Sequence, residues 1–224
     1  MNLALFDLDH TLIPFDSGMV WTRFLVARGV LPHDAPEVYL DYCRQYVAGT
    51  LDIHAMHRVT VAPLSVYPRR QIDAWGREFE LEMAVQVPHS MRALVERHRS
   101  AGDLCAIVTA TTRFIAEPFA RLFGITQLVA TEAEQQGDFL TGEIAGEPCY
   151  REHKLTRVLD WLASQTPPRP AGLQSFEQSW FYSDSRSDLP LLQAVSHPVA
   201  VRPDPGLREH ALQAGWPVLE QGLS

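Results

Sequence analysis

Short apolar runs alternate with longer amphipathic stretches along most of this chain, and one block near the start is amphipathic throughout. Leu3–Phe6 is an apolar run of strand length, so we predict a buried strand there. Residues 16–87 instead repeat apolar positions at helical spacing, with Asp or Pro before most repeats and Gly after several. This pattern predicts helices at residues 18–28, 34–49, 52–62 and 68–83, with no strand between them.

After Pro88 the pattern changes to apolar strands that alternate with helices. The predicted strands lie at residues 104–108, 128–130, 180–182, 199–201 and 218–219. The predicted helices lie at residues 89–101, 111–123, 151–164, 188–195 and 207–214. Glycines among alternating residues at 132–147 predict a small hairpin, and the stretch 166–178, rich in Pro and polar residues, predicts a surface loop.

This order of elements predicts the fold class and the domain organisation. Strands that alternate with helices form a doubly wound, Rossmann-like parallel sheet with right-handed crossovers. We therefore predict an α/β hydrolase-type core built from residues 1–15 and 88–224. Residues 16–87 are predicted to form an inserted α-helical bundle, a cap domain. Because this insertion leaves and re-enters the core after the first strand, we expect it to lie over the carboxyl ends of the strands.

The composition argues against several classes of protein. The net charge of −8 argues against a general binder of nucleic acids or anionic membranes. The three cysteines form no C-x-x-C pair, which favours a reducing cytoplasm and gives no zinc site. The first apolar stretch carries two acids, unlike a signal peptide, and no apolar run reaches the roughly 18 residues of a membrane span. We expect a cytoplasmic protein.

Acids and hydroxyls stand where predicted strands end. Asp7 and Asp9 follow the first strand, Thr109 ends the second, and Asp184 and Asp188 follow the fourth. Open parallel sheets bind ligands beyond the carboxyl ends of their strands, and unpaired acids there are costly unless a cation or a proton stabilises them. Each signal also has a structural reading, as solvated acids in a turn or as helix caps.

Lys154 is a further candidate because of its place in a predicted helix. It stands in the first turn, where the helix dipole disfavours a cation. An anionic partner nearby would explain this position, and an exposed surface lysine is the alternative interpretation.

The candidates form four motifs in a recognisable order. They are Asp7-x-Asp9-x-Thr11-Leu12, Thr109, Lys154 and Asp184-x-x-x-Asp188. In this order and at these strand ends, the chain resembles haloacid-dehalogenase superfamily phosphatases over its whole length. The helical insertion after the first motif resembles the phosphoserine-phosphatase branch. The fourth motif of the family usually carries Gly before its first acid, and Ser183 replaces that Gly here.

The resemblance implies a mechanism and a cofactor. Asp7 would be the nucleophile and form an aspartyl-phosphate, and Asp9 would protonate the leaving oxygen and then activate water. The cofactor would be Mg²⁺, held by the carboxylates of Asp7 and Asp184 and by the backbone carbonyl of Asp9. Dehalogenating relatives lack the second acid because a halide leaves without a proton, so Asp9 favours phosphate over halide.

The remaining motif residues are implied to support the transferring phosphoryl group. Thr109 and Lys154 would hold its oxygens as the geometry at phosphorus changes. Asp188 would orient metal-bound water or Lys154.

The helical insertion is expected to determine substrate choice. Phosphoserine phosphatases carry an acid nine residues after the nucleophile, which meets the substrate amine; Asp16 has that spacing, and helix capping is its alternative role. Where those enzymes place an arginine for the substrate carboxylate, the spacing gives Thr60. His57 shares a helix face with Thr60, and Arg58 lies on a nearly opposite face. We predict substrate binding by Asp16, His57 and Thr60, with Arg58 as the first arginine to test.

These observations predict a cytoplasmic, Mg²⁺-dependent phosphatase for a small phosphorylated metabolite. Histidinol phosphate, a phosphorylated amino alcohol, fits as well as phosphoserine. The alternatives are a phosphotransferase or lipid-phosphate phosphatase of the same fold, or a catalytically inactive relative that serves as a binding module. Intact Asp7, Asp9, Lys154 and Asp184 argue against the inactive relative.

Overall fold

The computed structural model describes residues 1–165 and 172–220 of the chain. The strands are β1 (Leu3–Phe6), β2 (Leu104–Thr112), β3 (Gln127–Thr131), β4 (Ala133–Gln136), β5 (Phe139–Ile144), β6 (Ser179–Ser183), β7 (His197–Val201) and β8 (Val218–Leu219). The helices are α1 (Ser17–Ala27), α2 (Ala35–Ala48), α3 (Ile53–Val61), α4 (Arg69–Met83), α5 (His89–Ser100), α6 (Arg113–Leu122), α7 (His153–Ser164), α8 (Leu189–Leu192) and α9 (Pro205–Ala214).

A parallel sheet organises these elements, and in the described residues it has six strands in the order β3-β2-β1-β6-β7-β8. β1 lies in the middle, paired with β2 on one side and β6 on the other, and all its side chains are buried. Burial on both faces explains why this strand is uniformly apolar rather than alternating. The predicted α/β fold class is confirmed, and the loops after β1, β2 and β6 meet at one edge of the sheet.

The predicted hairpin is also present. β4 and β5 pair antiparallel and form a separate two-stranded sheet. Gly142 of β5 has φ +91°, and a Cβ there would lie 2.9 Å from Ala62 Cβ at the end of α3. The hairpin therefore approaches the helical segment closely at a position that only glycine can occupy without displacement.

The junction between β2 and α6 differs from the sequence prediction. β2 continues to Thr112, and α6 begins at Arg113, whereas a shorter strand and an earlier helix were expected. The hydroxyls of Thr111 and Thr112 do not cap the helix because they contact Asp9 and His57, from other parts of the fold.

The region around α8 shows a second difference. α8 ends at Leu192, earlier than the predicted helical stretch, because the chain turns to enter β7 at His197. Residues 166–171 of the predicted surface loop lie outside the described residues. In the remainder of that stretch, Leu173–Ser175 forms one 3₁₀ turn.

The four helices predicted within residues 16–87 are present as α1 to α4, and α1 and α4 contact α6 of the sheet-flanking layer. Trp21 and Phe24 of α1, Phe79 of α4 and Phe119 of α6 form a cluster of stacked and edge-to-face rings, with neighbouring centroids 5.2–5.6 Å apart. These side chains belong to the same apolar core as one face of the central strands. Among the described helices, none has the length and apolar character needed to cross a membrane.

Candidate active site

The loop after β1 places two acids at the carboxyl edge of the sheet. The Asp7 amide donates a 2.9 Å hydrogen bond to the Tyr182 carbonyl of β6, so Asp7 extends the sheet by one residue. The chain then turns tightly through Leu8–Leu12, with His10 in the left-handed region at φ +57°. Both acids therefore stand in or beside this turn at the end of β1, and the charge of Asp9 contributes to the raised pKa of Asp7.

Asp7 belongs to a buried network of charges. Lys154 Nζ donates hydrogen bonds to Asp7 Oδ1 at 2.8 Å and to Asp188 Oδ2 at 2.7 Å, and all three residues are buried. Thr11 Oγ1 donates to Asp7 Oδ2 at 3.1 Å, and Ser183 Oγ donates to Asp188 Oδ2 at 2.7 Å. The two carboxylates compensate for the unfavourable position of a lysine in the first turn of α7.

This network determines the charge states of its members. Burial by itself would lower the pKa of Lys154, but the charges of Asp188 and Asp7 outweigh it and hold that pKa well above its usual value. Burial raises the pKa of Asp7, and the Lys154 charge opposes this effect. Lys154 is therefore a cation, and its contact favours the ionised Asp7 that a nucleophilic carboxylate requires.

Asp184, after β6, adds a half-buried acid with little stabilisation from its neighbours. Its Oδ1 accepts a 3.3 Å hydrogen bond from Thr11 Oγ1, the hydroxyl that also contacts Asp7. Burial, followed by the charges of Asp7 and Asp188, raises the pKa of Asp184 well above its usual value. Within the described chain, Asp188 Oδ1 is also buried without a hydrogen-bond partner. A hard cation beside Asp7 and Asp184 would compensate this excess of negative charge.

The Asp9 carboxyl group is held from both sides. Ser17 N donates to its Oδ1 at 2.6 Å, and Thr111 Oγ1 of β2 donates to its Oδ2 at 2.7 Å. Burial, with the charge of Asp16 as the next cause, raises the pKa of Asp9. A raised pKa favours the protonated form, which is the form that a general acid must supply.

Thr109 lies in β2 at the same edge of the sheet. The register pairs Phe6 of β1 with Ile107, so Thr109 stands beside the loop that carries Asp7. Thr109 is buried, and its Oγ1 accepts a 3.1 Å hydrogen bond from the Thr111 amide. Within the described residues the Thr109 hydroxyl donates no hydrogen bond, so its proton is available to an oxygen in the site.

Asp16 caps α1 and also lies near the acids. Its Oδ1 accepts hydrogen bonds from the Met19 amide at 2.7 Å and from the Tyr39 hydroxyl of α2 at 2.8 Å. The next residue, Ser17, donates its amide to Asp9 Oδ1 at 2.6 Å, so Asp16 lies beside Asp9, and the charge of Asp16 contributes to the raised pKa of Asp9. The structure thus shows helix capping by Asp16 and also a position beside the proposed general acid.

The other three residues predicted to bind substrate have partners within the protein. His57 is buried, with Nε2 3.1 Å from the Glu143 carbonyl and Nδ1 3.3 Å from the Thr112 hydroxyl. Thr60 Oγ1 donates to carbonyls of its own helix, α3. Arg58 is exposed and forms an ion pair with the Glu143 carboxylate. In these contacts His57 turns toward the hairpin and β2, and Arg58 remains at the surface. The substrate contacts of the three residues stay predictions.

The contacts of His57 predict a pH-dependent stability. A carbonyl only accepts, so Nε2 carries the proton, and Nδ1 accepts from Thr112. Burial lowers the pKa of His57 to about 4. The unfolded chain therefore binds a proton below pH 6.5 that the folded chain does not bind until about pH 4, and stability falls as pH decreases through this window.

Between pH 6.5 and pH 5 we expect the free energy of unfolding to decrease by about 1 kcal/mol less in His57→Gln than in the wild type, after allowance for solvent screening. Urea unfolding at both pH values measures this difference. Parallel pH profiles for the wild type and His57→Gln would contradict the assigned neutral state.

Several hydroxyl groups that support the acids were not assigned from the sequence. Thr11 bridges Asp7 and Asp184, Thr111 holds Asp9, and Ser183 holds Asp188. Ser183 stands next to the motif acid Asp184 and Thr11 stands two residues after Asp9, and this proximity is the signal that could have identified them. No motif acid lies near Thr111 in the chain. Which acid each hydroxyl contacts depends on how the strands are ordered.

Tyr46 of α2 makes a contact that no sequence spacing indicates. Its hydroxyl lies 3.0 Å from Ser185 Oγ and 2.9 Å from Ser187 Oγ, in the loop that follows Asp184. The helical segment is thereby joined to the loop that carries the fourth motif.

Comparison with known proteins identifies the class to which this fold and site belong. Residues 4–193 match the family model described as haloacid dehalogenase-like hydrolase. The chain is 41% identical over 223 residues to a histidinol-phosphatase from Neisseria meningitidis serogroup C (strain 8013), covering 97% of this chain and 98% of that protein. The chain therefore belongs to the haloacid dehalogenase-like hydrolase family.

Solved structures agree with this assignment. A protein of unknown function from Bordetella pertussis Tohama I is 40% identical, with a TM-score of 0.88 and 97% coverage of both chains. A substrate-bound phosphoserine phosphatase has a TM-score of 0.67 at 17% identity and covers 98% of this chain and 93% of its own. The second similarity concerns the fold alone.

Proposed function

We propose that this protein hydrolyses a small phosphomonoester through a phosphorylated Asp7, with Mg²⁺ as its cofactor. The chain is a phosphatase of its family, since a relative that is 41% identical to it over nearly the whole length of both chains is a histidinol-phosphatase. The observation that carries the mechanism is the buried contact of Lys154 with Asp7 and Asp188, beside the second acid Asp9. This arrangement supplies an ionised nucleophile and a separate proton donor.

The residues present fit a magnesium ion, the usual cofactor of phosphatases in this family. The carboxylates of Asp7 and Asp184 and the backbone carbonyl of Asp9 would hold it. The described residues contain no group of three His, Cys, Asp or Glu side chains placed for a metal. The proposed magnesium site requires only two side chains, the carboxylates of Asp7 and Asp184. Fewer protein ligands leave positions for phosphate oxygens and water, as Mg²⁺ prefers. When bound, Mg²⁺ would neutralise the acids and polarise the phosphoryl oxygens.

The proposed reaction has two steps. A carboxylate oxygen of Asp7 forms a bond to phosphorus as the bond from phosphorus to the leaving oxygen breaks, and Asp9 gives that oxygen a proton. Water then attacks the same phosphorus, Asp9 takes a proton from it, and the bond to Asp7 breaks. The products are an alcohol, inorganic phosphate and the original enzyme.

Three further residues support these steps. Lys154 places its charge against Asp7 and against the phosphoryl oxygens that develop charge, and the Thr109 hydroxyl donates to one of them. Asp188 holds Lys154 through Oδ2 and keeps its Oδ1 available to orient a water.

We also propose that two parts of the chain have separate roles. Residues 16–87 act as a cap domain that selects the substrate, and residues 1–15 and 88–224 form the catalytic core. Contacts between the two at the site support this division, namely Ser17 with Asp9 and Thr111, and Tyr46 with Ser185. The free thiols of the described chain agree with a reducing cytoplasm as the proposed location.

The proposed substrate is a phosphorylated amino alcohol, with histidinol phosphate as the first candidate. Asp16 would bind the substrate ammonium near Asp9. At the position where a phosphoserine phosphatase would carry an arginine for a carboxylate, this chain has neutral Thr60 beside neutral His57. Arg58 is held at the surface by Glu143. A substrate with an ammonium and no carboxylate therefore matches the charges best.

Asp16→Asn tests this assignment. Asparagine is also a good helix cap, so the fold should be retained, while a charged hydrogen bond to the ammonium is lost. We expect kcat/KM for histidinol phosphate to fall roughly tenfold to a hundredfold, because a charged hydrogen bond contributes about 1.5–3 kcal/mol. Activity on an aryl phosphate should change little, because this substrate has no ammonium and its leaving group needs little help from Asp9, whose pKa the Asp16 charge raises.

Parallel measurements with phosphoserine complete the test. Equal losses on all three substrates would show that Asp16 only caps α1. A strong preference of the wild type for phosphoserine over histidinol phosphate would show that the chain carries a carboxylate partner, and Arg58 and Arg44 would then be replaced in turn.

A further inference from the structure

Asp16 lies in a second polar cluster, formed with Gly18 of α1 and with Tyr39 and Cys43 of α2 (the Asp16 cluster). Tyr39 and Cys43 are one helical turn apart, so they project from the same face of α2 toward Asp16. Tyr39 is buried and Cys43 is half-buried. The proposed reaction gives Tyr39 and Cys43 no role, although together they enclose one side of the Asp16 carboxylate.

The two oxygens of Asp16 differ in how fully they are used. Oδ1 accepts from the Met19 amide at 2.7 Å and from the Tyr39 hydroxyl at 2.8 Å, which occupies both of its lone-pair positions. In the described chain, Oδ2 meets only the Cys43 thiol, a weak donor 4.0 Å away. Oδ2 is therefore the oxygen that remains available to a strong donor.

The Tyr39 hydroxyl reaches Asp16 only because position 18 is glycine. A Cβ on Gly18 would lie 2.1 Å from the Tyr39 hydroxyl oxygen and 2.7 Å from the ring carbon that carries it. Gly18 itself is buried and helical, so backbone freedom is not the reason for the glycine. Burial, followed by the charge of Asp16, raises the pKa of Tyr39 well above its usual value, and the phenol therefore stays a donor.

We propose that Tyr39 is a positioning residue that fixes the Asp16 carboxylate so that Oδ2 receives the ammonium group of the substrate. A carboxylate held by the Met19 amide alone can rotate about its terminal torsion, and a second donor from another helix removes that freedom. The inference rests on the proposed role of Asp16 and names its substrate class, phosphomonoesters that carry an ammonium group. The packing of α2 against α1 thereby contributes to substrate choice.

Tyr39→Phe is the main test, because it removes the hydroxyl and keeps the buried ring. Tyr42→Phe is the matched control, since Tyr42 lies on the same helix and its hydroxyl forms no hydrogen bond within the described residues. We expect Tyr39→Phe to raise KM for histidinol phosphate about tenfold with kcat within about twofold. Both constants for an aryl phosphate should remain at the wild-type value.

A double variant separates positioning from a general loss of structure. If Tyr39 acts through Asp16, then Asp16→Asn combined with Tyr39→Phe should be no worse on histidinol phosphate than Asp16→Asn alone. Gly18→Ala displaces the phenol from the other side and should give the same selective increase in KM, which keeps the test available if Tyr39→Phe folds poorly.

Three outcomes would overturn the inference. Equal losses on both substrates would make Tyr39 a structural residue. If Asp16→Asn is selective but Tyr39→Phe behaves like its control Tyr42→Phe, the role of Tyr39 is overturned and the role of Asp16 is not. An Asp16→Asn variant without selectivity would overturn both roles.

Discussion

Asp7→Asn is expected to reduce kcat below about 1% of the wild-type value, because the loss of a covalent nucleophile typically costs a factor of many thousands. An amide oxygen is a poor nucleophile for phosphorus, so no phosphorylated protein forms. An aryl phosphate is the best substrate for this measurement, since its leaving group needs little help from Asp9. Acid quenching with labelled substrate then reports phosphate transfer to the protein directly.

The fold should survive this substitution. β1 is enclosed by β2 and β6, and Lys154 keeps its contact with Asp188 when Asp7 becomes neutral. The substitution also removes one of several crowded negative charges. Asp52→Asn is a matched control, since Asp52 is an exposed helix cap of α3. Activity well above 1% in a folded Asp7→Asn variant would exclude Asp7 as the nucleophile.

Removal of divalent cations is expected to have the second largest effect. We expect EDTA to abolish turnover, Mg²⁺ to restore it, and Ca²⁺ to be a poor substitute because Ca²⁺ prefers more ligands at longer distances. The structural reason is the excess of negative charge at Asp7, Asp184 and Asp188, which Lys154 alone does not balance. Full activity in metal-free buffer would overturn the proposed mechanism.

Thermal unfolding gives a second measurement of the same site. A ligand that binds only the folded state adds about 2.7 kcal/mol at a hundred times its Kd, so Mg²⁺ should raise Tm by several degrees. Asp184→Asn removes a proposed ligand and should abolish this increase. A Tm increase of the same size in wild type and Asp184→Asn would place the cation elsewhere.

The sequence patterns predicted most of the fold because they are local. The uniformly apolar run Leu3–Phe6 is typical of a strand that is buried on both faces in the interior of a parallel sheet, and the structure has it there. The helical spacing between β1 and β2 likewise required no knowledge of other parts of the chain. At the start of α6, Thr112 is the N-cap residue, as predicted, but α6 begins only at Arg113 and neither the Thr111 nor the Thr112 hydroxyl caps it. Their hydroxyls instead bond to Asp9 and His57, contacts that no local pattern encodes.

The residues predicted to bind substrate also make contacts that no local pattern indicates, and their substrate contacts stay predictions. Spacing placed His57 and Thr60 on one face of α3, and the structure turns His57 toward the Glu143 carbonyl of the hairpin. For Asp16, spacing left helix capping and amine binding open, and the unequal use of its two oxygens appears only when Tyr39 is packed beside it. Helix periodicity defines a face, but it does not define what that face meets.

The sequence by itself determined the fold class and the order of the four motifs, because strand burial, helix periodicity and acid spacing can each be recognised within a short segment. The tertiary structure alone decided that Lys154 lies between Asp7 and Asp188, that Thr11 bridges Asp7 and Asp184, and that Tyr39 reaches Asp16. Most of these contacts join residues far apart in the chain. They depend on strand order, on register and on the packing of α2 against α1, which are properties of the assembled core rather than of any one segment.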